Sequence, residues 1–77
     1  MSSRLPAISG RAAIKAFARI GYTVDRQRGS HVTLVRNSPP DTLTIPVHRK
    51  EIPRGTLRAI IRQAGLSVEE FRELLSK

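Results

Sequence analysis

Tyr22 and Val24, Val32 and Leu34, and Leu43, Ile45 and Val47 fall at every second position, whereas the apolar residues on either side of this stretch recur at every third or fourth. Few folds accept that change of period. A spacing of two puts side chains on one face of a strand, and a spacing near 3.6 puts them on one face of a helix. Before the change, Ala13, Ile14, Phe17, Ala18 and Ile20 keep helical spacing, with Ser9 placed to cap the start and Gly21 suited to the left-handed end. A first helix is therefore expected over about residues 9–20.

YTVDRQ, an RG turn and SHVTLVR then read as a two-stranded hairpin. NSPPD is dense in turn formers and cannot continue a ladder, and TLTIPVH supplies a third strand. Pro46 has no N–H to donate, so this strand belongs at an edge. From Pro53 or Arg54 the stripe Leu57, Ile60, Ile61, Ala64 marks a second helix closed by Gly65. Ser67 and Glu70 form a capping box, with Leu66 and Phe71 as its hydrophobic staple, and a short third helix follows. The expected class is α+β in the order α, β, β, β, α, α, a three-stranded antiparallel sheet with the helices on one face. The 77 residues make one domain with its core over about residues 9–75.

Alternation also assigns faces. If Val32, Leu34, Leu43, Ile45 and Val47 meet the helices, then His31, Thr33, Val35, Thr44, Pro46 and His48 point the other way. Both histidines thus fall on the open face of neighbouring strands. A four-residue loop of Ser38 to Asp41 sets His31 opposite His48, and a register two residues away sets it opposite Pro46.

Charge narrows the partners. The chain carries 14 Lys and Arg against 6 Asp and Glu, for a net charge of +8, and Glu69, Glu70 and Glu73 cluster near its end. The remaining body is strongly basic, which favours nucleic acid or an acidic protein partner. Arg26, Arg28 and Arg36 flank His31, and Arg49 and Lys50 adjoin His48, so these five are the expected phosphate-binding residues. The absence of cysteine excludes disulfides, thiolate nucleophiles and cysteine metal clusters, and fits a reducing compartment. No apolar run approaches the roughly 18 residues of a membrane span, and the opening residues lack the apolar core of a signal peptide. A soluble cytoplasmic protein is expected, with no membrane association.

An imidazole titrates near neutrality and can take or give a proton, which RNA cleavage by its own 2′-hydroxyl requires. His31 is the candidate base or acid. Gly29 permits a tight backbone before the ring, and Ser30 cannot form a triad with His31 because adjacent strand residues face opposite ways. Two histidines and scattered carboxylates lack any recognised ligand spacing, so neither a metal nor another cofactor is expected.

SGRAAIKAFARIGYTVDRQRGSHVTL and IPVHRKEIPRGTLRAIIRQAGLS, with the GSH, xPxH and GTLxxIxxxAGLS motifs they contain, resemble the HicA (YcfA-type) family of bacterial toxins across Ser9 to Leu75. The resemblance implies a fold like that of double-stranded-RNA-binding domains, endoribonuclease activity on messenger RNA, and inhibition by a HicB-type antitoxin encoded alongside. It places the family's catalytic histidine on His31 with Gly29 and Ser30 as matching neighbours, and a second histidine position on His48. Two other functions are compatible with the residues themselves. One is a noncatalytic RNA-binding module; the other is a DNA-binding helix motif using Arg54, Arg58 and Arg62, which share one helix face. The isolated chain is expected to be a monomer.

Overall fold

A computed structural model describes residues 4–48 and 50–77 of the chain. Its elements run α1 (Gly10–Ala18), β1 (Thr23–Arg28), β2 (His31–Asn37), β3 (Pro40–Pro46), α2 (Arg54–Gln63) and α3 (Val68–Leu75). The strands form one antiparallel sheet in the order β1-β2-β3. This is the expected α+β arrangement, with Pro46 on an edge strand.

The local signals act as anticipated at the helix ends. Ser9 caps α1 by accepting the Ala12 N–H at 3.1 Å. Ser67 and Glu70 close their capping box with bonds of 3.0 and 2.8 Å. The α1 helix packs on β3 and α3, and α2 packs on the same two elements. Phe17 lies at the centre, 5.7 Å from the Tyr22 ring edge-on and 5.2 Å from Phe71. Around these rings Val32, Leu34, Leu43, Ile45, Leu57 and Ile61 are almost fully buried. Each large side chain so buried contributes about 1.5–3 kcal/mol relative to exposure. Leu5 and Ile52, outside the periodic stretches, also enter the core, and the Ile52 N–H ties its loop to the Ile8 carbonyl at 2.9 Å.

Three details depart from expectation. The first hairpin turns on Gly29 and Ser30 rather than on Arg28 and Gly29, with Gly29 at φ +58°, a conformation glycine adopts without steric cost. The second loop has two residues, Ser38 and Pro39, instead of four, so β3 starts at Pro40 and His31 stands opposite Pro46. This longer ladder pairs Arg36 with Asp41, and Asp41 then accepts the Tyr22 hydroxyl hydrogen at 2.6 Å. Finally, Val24 is 56% exposed. It pairs with Leu34 on the helix side of the sheet, but the helices lie over β3 and leave all six residues of β1 exposed.

Candidate active site on the open face of the sheet

His31 opens the central strand directly after the hairpin turn. Its side chain is exposed, and strand pairing holds it between Arg28 on β1 and Pro46 on β3. Val47 extends the ladder by donating its N–H to the Ser30 carbonyl at 2.8 Å, so the backbone on both sides of the ring is tied down. His48 follows two residues after β3, and its ring centroid lies 6.2 Å from that of His31 with the planes inclined at 45°. The two imidazoles therefore come together although their residues are not cross-strand partners.

The arginines divide between the two faces. Strict alternation from Tyr22 would send Arg26 and Arg28 to the helix side. A bulge between Val24 and Arg26 changes this, leaving Asp25 without a cross-strand partner and setting Arg26 opposite Thr33 and Arg28 opposite His31. Both guanidinium groups thus belong to the His31 face, while Tyr22 still reaches the core. Arg36 goes the other way. It shares the helix side with Leu34, lies 4.4 Å from the centroid of the Tyr22 ring, and donates from Nε to the Pro39 carbonyl at 2.9 Å. It stands apart from the His31 cluster that its sequence position suggested. Lys50 is exposed beyond His48, and Arg49 lies outside the described residues. Ser30 is half-buried and Gly29 accepts a 3.0 Å bond from the Gln27 side chain, so their place is the turn that presents the histidine.

A cleft of about 350 Å³ opens beside the imidazoles, lined by His31, Thr44, Pro46, His48, Pro53 and Thr56. Thr44 was legible as an open-face residue, but neither threonine carries a site signal in the sequence. Thr56 comes from the first turn of α2, and its proximity to β3 is purely tertiary. Among the described residues, no three His, Cys, Asp or Glu side chains gather into a set that could hold a metal ion.

The titration shifts lie on the opposite face. Burial, reinforced by the hydrogen bond to Asp41 and that carboxylate's charge, pushes the Tyr22 hydroxyl up to about 12, against a smaller opposing effect of Arg36. Asp41 is held below the usual carboxylate range, first by the Tyr22 hydrogen bond and then by bonds from Thr42 and Gln63 and the charge of Arg36, with desolvation opposing.

The fold and the site define a small basic α+β domain whose uncovered sheet face presents two imidazoles and two cross-strand arginines. A family model described as the HicA toxin of bacterial toxin-antitoxin matches residues 10–66, and the chain belongs to that family. Membership makes it a toxin-type component and implies an antitoxin partner. No curated protein sequence matched the chain. Among the described residues, no helix is long and apolar enough to cross a membrane.

Proposed function

We propose that this protein is an endoribonuclease toxin, an mRNA interferase that cleaves messenger RNA without a metal ion. The observation that carries this reading is the exposed His31 ring, set on a backbone paired on both sides, with Arg28 across one strand and His48 at 6.2 Å. In the reaction, one group takes the proton of a ribose 2′-hydroxyl, whose oxygen attacks the adjacent phosphorus. The bond from phosphorus to the 5′ oxygen breaks, and that oxygen receives a proton from a second group. A 2′,3′-cyclic phosphate and a 5′-hydroxyl result. His31 is the acid or base, His48 the auxiliary group, and Arg26 and Arg28 stabilise the charge that grows on the phosphate oxygens.

The antitoxin, a HicB-type protein on this reading, inhibits by laying an acidic surface over His31, which the strongly basic body favours. The free toxin acts as a monomer in the cytoplasm. The exposed Arg54, Arg58 and Arg62 stripe on α2 supports a second reading, a binding module that holds RNA or DNA without cutting it.

The test is cleavage of single-stranded RNA by the wild type and by His31→Ala, each with and without EDTA. Wild-type cleavage is expected to survive chelation, and the variant is expected to fold normally by circular dichroism while losing roughly 10²–10⁴-fold in rate. Equal rates in the two proteins remove His31 from the mechanism, and loss of wild-type activity in EDTA overturns the metal-free reaction. Binding with no cleavage products by either protein establishes the binding-module reading.

A further inference from the structure

Single strands of RNA are recognised chiefly through bases turned out of the strand, which pack on flat side chains and are read by hydrogen bonds along their edges. The phenyl and phenol rings are out of reach on this protein. Its Phe and Tyr residues, Phe17, Tyr22 and Phe71, are all in the core with at most 1% of their surface exposed, and it has no Trp. A base that arrives at His31 is left with the imidazoles, the arginines and whatever else lines the site.

His31 sits on the central strand, and its two sides differ. Toward β1 stand Arg26 and Arg28, which suit phosphate oxygens. Toward β3 lies the cleft of about 350 Å³, near the lower end of the ~300–1,000 Å³ typical of sites for organic ligands. Its described lining holds no Arg, Lys, Asp or Glu. Apart from the imidazoles it consists of two proline rings, Pro46 and Pro53, and two threonines, Thr44 and Thr56, whose hydroxyls both donate and accept. Apolar walls with a few neutral polar groups match an uncharged heteroaromatic ring better than a phosphate.

We propose that this cleft is a nucleobase subsite. It receives one unstacked base flanking the scissile phosphate, with Pro46 and Pro53 packing on the ring and Thr44 and Thr56 hydrogen-bonding to its edge. The inference rests on the ribonuclease reading and adds an orientation to it: phosphates run over β1 and β2, and the read base lies over β3 and the start of α2. Thr44 and Thr56 are then specificity residues that leave the chemistry to His31.

Two measurements test it. In the first, wild type, Thr44→Ala and Thr56→Ala cut a single-stranded RNA that contains every dinucleotide step, and the products are mapped. Each variant is expected to flatten the wild-type base preference by roughly twofold to tenfold, the loss due to one edge hydrogen bond. An unchanged preference in both variants overturns the subsite and leaves the nuclease reading standing. In the second, folded His31→Ala protein is titrated with the four nucleoside monophosphates and with ribose 5-phosphate, and backbone amide resonances are followed by NMR. Thr44 and Thr56 are expected to shift with the nucleotides and not with the baseless sugar phosphate. Equal shifts with ribose 5-phosphate overturn the proposal even for a protein that cuts no RNA.

Discussion

Gly10 begins α1 where the helix meets β3, and a Cβ there would collide with the Pro46 carbonyl oxygen and come within 2.8 Å of a Val47 methyl. The obstacle is partly backbone, so it cannot rotate away. Gly10→Ala is expected to cost roughly 1–3 kcal/mol, read as a lower urea midpoint. Because Pro46 also lines the cleft, the same change should disturb that edge of the site. Tyr22 gives a second prediction at this scale. Its folded pKa of about 12 lies above the ordinary value of 10. The stability it supplies is therefore complete below pH 10 and is lost as pH rises toward 12. Tyr22 is the chain's one tyrosine, so phenolate absorbance should report its ionisation directly, with a midpoint near 12 while the fold persists. Tyr22→Phe should abolish this alkaline loss and lower stability at neutral pH by about 1–2 kcal/mol, since Asp41 loses its hydroxyl donor and keeps only the bonds from Thr42 and Gln63. A phenolate midpoint at 10 in the folded protein would contradict the buried hydrogen bond.

Among the elements, β1 does the least packing and most of the aiming. Its pairing is with β2, all its residues are exposed, and its bulge turns Arg26 and Arg28 toward the histidine. Asp25 is the extra residue. Removing it should close the ladder with Val24 still opposite Leu34 and Arg26 still opposite Thr33. The Asp25 deletion is thus expected to fold, with a thermal midpoint within a few degrees of wild type and, on the proposed function, RNA binding retained. A deletion that unfolds the protein or abolishes RNA binding would mean that the bulge itself is required.

Across the whole molecule, what could be read from the chain and what could not separate along a physical line. Helix ends written in neighbouring residues, such as Ser9 with Ala12 and Ser67 with Glu70, were legible because their partners are three positions apart. So was the open-face position of His31, which follows from alternation within one strand. The bulge at Asp25, the two-residue second loop and the exposure of Val24 were not. Each depends on which register buries Tyr22 and satisfies Asp41, or on where the helices come to rest. The cleft was hidden for the same reason, since Thr44 and Thr56 become neighbours only when α2 docks on β3.

The sheet has one side that buries the core and another that carries the imidazoles, and few residues serve both. A chain in which the open-side groups had been replaced one by one would keep its shape. On the proposed reading, a disarmed copy that lost only His31 and kept its basic face would still occupy the antitoxin, and so would act in a cell as a decoy for the inhibitor of an intact one.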